Sequence, residues 1–200
     1  MIQKTNQLLR HIPPWLFYVI LPLPGVVMFV QGLTGGLGAD PIEDLIEGLG
    51  EFGLQLLIVG LAITPLLRIA GLNLMRFRRA LGVVAFGYVL AHFLVWLLLD
   101  IGIWAQIISD LTTKPYLMAG LASLVLLLPL AVTSNNWSVR KLGRGWRVLH
   151  RLVYAAAILG GVHNMLQEKT FDGEAAIYLA VILILLALRV PMVVRLFKRG

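Results

Sequence analysis

The sequence predicts an all-α integral membrane protein of six transmembrane helices with both termini on the cytoplasmic side. Three observations predict it. Apolar residues make up 59% of the chain and charged residues 14%, with a mean hydropathy of +0.87, outside the range of soluble globular domains. The apolar residues gather in six runs, at about 12–31, 52–67, 80–99, 116–132, 146–166 and 175–190. The loops between runs alternate in charge, which is how a multi-pass chain encodes its orientation.

Each run has its own boundaries. The first follows a polar segment with Lys4, Arg10 and His11 that lacks an Ala-x-Ala-like cleavage site, so no cleaved leader is expected. Pro13 and Pro14 open it, and Pro22 and Pro24 inside it predict a kink or break. Asp40-Pro41 reads as an N-cap with proline at N1, starting a short interfacial helix ahead of the second run. The third run begins after Arg78 and Arg79 and exits at Asp100; residues 101–114 are mildly amphipathic. The fourth precedes a basic loop with Arg140, Lys141, Arg144 and Arg147. The fifth exits through Glu168, Lys169, Asp172 and Glu174, and the sixth ends at Arg189 and Pro191 before a tail with Arg195, Lys198 and Arg199. Trp15, Trp96, Trp104, Trp137 and Trp146 mostly fall near boundaries, as an interfacial aromatic belt would. One membrane domain over 1–200 accounts for the whole pattern.

With a cytoplasmic N-terminus, every one of the 17 lysines and arginines except Lys114 and Lys169 falls inside, and all 10 carboxylates fall outside. The net charge of +7 therefore reads as topology and contact with anionic lipid, not as a nucleic-acid surface. The chain has no cysteine, which excludes disulfides, thiolate metal sites and thiol catalysis.

Ionisable residues inside apolar runs are costly and mark function. His92 lies in the third run, and His150 and His163 in the fifth. His92 is thirteen residues beyond Arg79 and His163 twelve beyond Arg151, so both sit roughly 18–20 Å from the cytoplasmic anchors. Equal depth on two helices suits axial ligation of an iron porphyrin. His150 sits near the cytoplasmic surface and, on a continuous helix, would not share a face with His163. The plainer alternatives are an interhelical hydrogen bond or a proton relay.

Several short motifs then act together: Gly36-Leu37-Gly38-Ala39-Asp40-Pro41, Ile63-Thr64-Pro65-Leu66, Arg78-Arg79 with Leu81-Gly82, and Ala91-His92. Thr113-Lys114-Pro115-Tyr116 with Gly120, Arg140-Lys141-Leu142-Gly143, Trp146, Leu149-His150, Tyr154 and His163 complete the set. Together they resemble the ferric-reductase-like transmembrane family, and within it the heme-binding membrane subunits of bacterial protein-methionine-sulfoxide reductase systems. The resemblance implies b-type heme, the bacterial inner membrane, and electron delivery to a periplasmic molybdopterin enzyme that repairs oxidised methionine. The donor it implies is a cytoplasmic flavin reductase or the quinone pool. The wider family holds two stacked hemes with two histidines on each of two helices. Here Arg78 stands at the inner third-helix position, so an inner heme would use His150 with a non-histidine partner or five-coordinate iron. FMN rests on the resemblance alone, because no Gly-rich phosphate loop is present. Arg78, Arg79, Arg147 and Arg151 carry charge suited to heme propionates or a flavin phosphate. No substrate site of the chain's own is evident. The rival readings are a stand-alone quinol- or ferric-reducing cytochrome and, from another class, a histidine-based proton-coupled transporter.

Overall fold

The computed structural model describes residues 2–167 and 173–189. The charges read at Glu168, Lys169, Asp172, Arg195, Lys198 and Arg199, and Pro191, lie outside the described residues. Within them the chain is helical, with no strands.

Helix α1 (Ile2–His11) is amphipathic and buries no side chain. It is tied to the loop after the second run: Asn6 Nδ2 donates to the Gly71 carbonyl at 2.9 Å, and Asn73 N donates to Asn6 Oδ1 at 2.9 Å. Arg76 adds bonds to the carbonyls of Leu9 and Arg10. The N-terminal segment and the first basic loop therefore occupy one end of the bundle.

The first run breaks where its prolines predict. Helix α2 (Phe17–Ile20) stops, and α3 (Leu23–Thr34) starts after Pro22. Tyr88 repairs the break: its hydroxyl accepts from Gly25 N and donates to the Leu21 carbonyl, both at 2.8 Å. A side-chain hydroxyl has thus entered the i→i−4 ladder, a recognised cause of helix kinks.

Helix α4 (Pro41–Ala70) is one continuous element of 30 residues. Asp40 caps it, accepting from Glu43 N at 3.2 Å with Pro41 at N1. The separate interfacial helix expected before residue 52 is absorbed into it, because nothing between Pro41 and Phe52 ends a helix once its glycines are packed. Pro65 is accommodated within the helix.

Helix α5 (Arg78–Val95) passes into a π-helical segment, Trp96–Ile101, that ends at Gly102 with φ of 62°. Amphipathic α6 (Trp104–Thr113) follows, then α7 (Pro115–Val132), matching the fourth run. Short helices α8 (Asn136–Leu142) and α9 (Arg144–Leu149) form the second basic loop. The fifth run is not one helix. The chain turns at His150 and Arg151, and α10 (Leu152–Gln167) begins beyond them. Helix α11 (Gly173–Ala187) completes the bundle.

Two long hairpins organise the core, α4 with α5 and α7 with α10. Small residues let α10 come close: Ala156 and Ala157 are fully buried, and Ser123 donates to the Ala156 carbonyl at 2.8 Å. Leu54, Leu61, Ala157 and Ile182 join α4, α10 and α11. Among the described residues, four segments are long and apolar enough to cross a membrane: Pro14–Thr34, Pro41–Ala70, Met75–Ile101 and Pro115–Val132. Helices α10 and α11 are shorter, at 16 and 15 residues.

Candidate functional site

His92 near the end of α5 and His163 near the end of α10 meet at the same level, as the depth argument predicts. Their ring centroids are 5.9 Å apart and their planes nearly perpendicular, at 78°. His92 Nδ1 lies 2.8 Å from the Ile46 carbonyl, and His163 Nδ1 lies 2.8 Å from the Tyr116 carbonyl. A carbonyl oxygen can only accept, so both Nδ1 atoms carry the proton. That assigns the lone pair of each ring to Nε2, the arrangement found in metal-ligating histidines held by an outer-shell acceptor.

The two halves of the site are built alike. In each hairpin the histidine bonds a carbonyl four residues before a glycine: Ile46 before Gly50, Tyr116 before Gly120. The carbonyl at i already accepts from N–H of i+4 within its helix. A bare Cα at i+4 leaves its flank open to a second donor. A Cβ built on Gly50 would lie 2.8 Å from His92 Nδ1, and one on Gly120 would lie 2.8 Å from His163 Nδ1. Sequence reasoning missed Ile46 and Gly50 altogether. Their signal was the cluster Gly48, Gly50 and Gly53 among the four glycines of one helix, where each costs about 1 kcal/mol unless close packing needs it.

Both imidazoles face a cavity of about 940 Å³, at the upper end of small-molecule sites. Leu54, Leu57, Val89, Phe93, Leu121 and Leu124 supply apolar wall. On one flank Tyr178 OH donates to Glu51 Oε1 at 2.6 Å, and Gln55 Nε2 donates to the same oxygen at 2.8 Å, joining α11 to α4. Its charged lining is mostly acidic, with Asp40, Glu43, Glu47, Asp100 and Glu174 exposed and Asp110 buried. Lys114, at the start of α7, pairs with Asp110 at 2.9 Å, and that hydrogen bond pushes its ammonium pKa above the usual lysine value.

Heme fits this donor set. Two metal–imidazole bonds of roughly 2 Å each, plus the half-widths of two rings, bring the centroids to about 6 Å, close to the observed separation. Among the described residues, no group of three or more histidine and carboxylate side chains gathers to hold a bare metal ion. Two imidazoles suit an iron whose remaining positions a porphyrin fills.

His150 is elsewhere. It lies at the far end of α10 from His163, stacked on Trp146 with centroids 3.9 Å apart, and it does not line the cavity. The Thr133 hydroxyl lies 2.6 Å from the Pro129 carbonyl, to which it gives its one proton. It therefore accepts from His150 Nε2 at 3.0 Å, so this ring carries its proton on the opposite nitrogen from the other two. Arg78 and Arg79 both act electrostatically on His150, and Arg79 donates to Asn136 Oδ1 at 2.7 Å. Arg147 and Arg151 are exposed on the same basic end. None of the four arginines lines the cavity.

Residues 48–161 match the family model described as the ferric reductase like transmembrane component. The protein-methionine-sulfoxide reductase heme-binding subunit MsrQ of Agrobacterium fabrum is 46% identical over 176 residues, 88% of this chain and 82% of that protein. The chain belongs to the MsrQ branch of the ferric-reductase-like transmembrane family. MsrQ proteins of Brucella anthropi and Brucella ovis are 43% and 45% identical over the same share of this chain and 80% of their own. No solved structure matches the chain. The family match covers Gly50, His92, Tyr116 and Gly120, and stops two residues short of His163.

Proposed function

We propose that this protein carries single electrons across the bacterial inner membrane. The path would run from a cytoplasmic flavin reductase or the quinone pool to a periplasmic molybdopterin-dependent reductase of methionine sulfoxide. The observation that carries the reading is the His92/His163 pair, with both Nε2 lone pairs assigned by backbone carbonyls and a cavity between apolar walls. The MsrQ relatives are named as heme-binding subunits of a protein-methionine-sulfoxide reductase, which supplies the partner class.

A b-type heme held by His92 and His163 would supply reversible one-electron iron chemistry. The chain's own residues do the rest. The Ile46 and Tyr116 carbonyls orient the imidazoles and raise their basicity, which favours the oxidised iron. The apolar walls exclude water. The exposed Glu43, Glu47 and Asp100 present negative charge suited to steering a partner with a basic face.

At the opposite end, Trp146 stacked on His150, with Arg78, Arg79, Arg147 and Arg151 around it, forms the arrival point for electrons from the cytoplasm. The arginines suit a propionate or a flavin phosphate, including FMN. A second heme at this level would require Thr133 to release His150 Nε2. Stopped-flow reduction of the heme at His92 and His163 by a reduced flavin reductase tests the route. His150→Ala and Arg78→Ala are expected to slow that reduction while leaving the His92/His163 spectrum intact. Unchanged rates in both would remove His150 from the path.

The six-span topology belongs to the same proposal, with α10 and α11 as the fifth and sixth spans in one domain. Arg147 and Arg151 would snorkel to lengthen the fifth. Reporter fusions after residues 72 and 200 should read cytoplasmic and one near 172 periplasmic; a periplasmic C-terminus would break the count.

A further inference from the structure

We infer that Lys114 is the anchor for a heme carboxylate, which it takes up by leaving Asp110. This rests on the heme reading of the His92/His163 cavity and goes beyond it. A porphyrin bound here carries two carboxylates, and any that stay within the cavity meet its charged lining. Among the described residues that line it, Lys114 is the only cation; the other charged ones are carboxylates, from Asp40 and Glu43 to Asp100 and Glu174. An anionic group placed beside those would be repelled.

The position of Lys114 is set by the ligand itself. It caps α7 two residues before Tyr116, whose carbonyl holds His163, so the ammonium and the imidazole are fixed by one turn of one helix. That turn is the N-terminus of an 18-residue helix, whose dipole also favours negative charge. Lys114 is free to turn away from Asp110 on its solvent side, because its side chain is 43% exposed while that of Asp110 is 12% exposed. The sequence motif Thr113-Lys114-Pro115-Tyr116 with Gly120 then has a single physical role. Lys114 holds the carboxylate, Pro115 starts the helix, and Tyr116 and Gly120 hold the histidine.

The alternative is a staple, in which Lys114 only pins α6 to α7 through Asp110. The two roles separate by experiment. Heme-free protein is reconstituted with iron protoporphyrin IX or with its dimethyl ester, which lacks the carboxylates. The readout is the rate of heme transfer to excess apomyoglobin. The parent should lose the ester roughly fivefold faster than the free acid, the scale of one partly exposed charge-assisted contact. Lys114→Met should lose both forms at the ester's rate, and Lys114→Arg should restore the difference. Asp110→Asn should retain the free acid at least as well as the parent, since it frees the ammonium. Equal weakening by Lys114→Met and Asp110→Asn would establish the staple and overturn the anchor. So would a parent that does not distinguish acid from ester. A reconstituted parent with no low-spin bis-imidazole spectrum would overturn the heme reading itself, which the transfer rates alone do not address.

Discussion

His163→Ala is expected to abolish the low-spin heme signal of the purified protein, and His92→Ala to abolish the same signal. The two rings are 5.9 Å apart and line one cavity, so on the proposed reading each would hold the same iron. Loss of either leaves five-coordinate iron or no heme, and the spectrum cannot remain low-spin with two imidazoles. Neither substitution removes a large apolar side chain, and each frees only a carbonyl that keeps its helical donor. The apoprotein should therefore fold, which a thermal melt in detergent would show. Heme content by pyridine hemochrome and electron paramagnetic resonance of the oxidised protein check the outcome. Two variants that lose different signals would mean that the pair does not share an iron.

Gly50→Ala and Gly120→Ala should each weaken heme binding by about ten- to a hundredfold without touching a ligand. Each new methyl would stand 2.8 Å from the Nδ1 of a histidine, closer than real carbon contacts allow. The obstructed atom belongs to a ring held by its own hydrogen bond, so it cannot swing aside as a flexible chain end would. Relief comes by moving the ring, which gives up the carbonyl bond, or by spreading α4 from α5 or α7 from α10. Overpacking of this kind costs roughly 1–3 kcal/mol, and a lost hydrogen bond about 1 kcal/mol. Each 1.4 kcal/mol is tenfold in affinity. Gly87→Ala is the control: it lies on the same helix as His92, and a methyl there meets nothing within 4 Å. Alanine at that position should be neutral or slightly stabilising. Heme titration of the three variants decides, and if Gly50→Ala and Gly120→Ala behave as Gly87→Ala does, the glycine cradle has no role.

Features set by local chemistry were legible in the chain. The apolar runs, the cap at Asp40-Pro41, the break at Pro22 and Pro24 and the amphipathic stretch at 104–113 are short-range signals that need no partner to be read. The match in depth of His92 and His163 was also legible, because a helix rises at a constant 1.5 Å per residue from charged anchors that the membrane interface fixes. The motifs spread along the chain carried the family. How the histidines are held emerges from helix packing alone. Every residue but its side chain offers the same carbonyl, so nothing in the sequence marks Ile46 and Tyr116 as acceptors until the helices are packed. Gly50 and Gly120 become legible as openings only once His92 and His163 lie against them. The continuity of α4 through 30 residues and the turn at His150 were likewise decided by distant contacts. In α4, Gly48, Gly50 and Gly53 are packed by Met28, His92, Tyr88 and Val89, and at the turn His150 is drawn to Thr133 and Trp146. Local propensity is worth tenths of a kcal/mol per residue, and such packed contacts outweigh it.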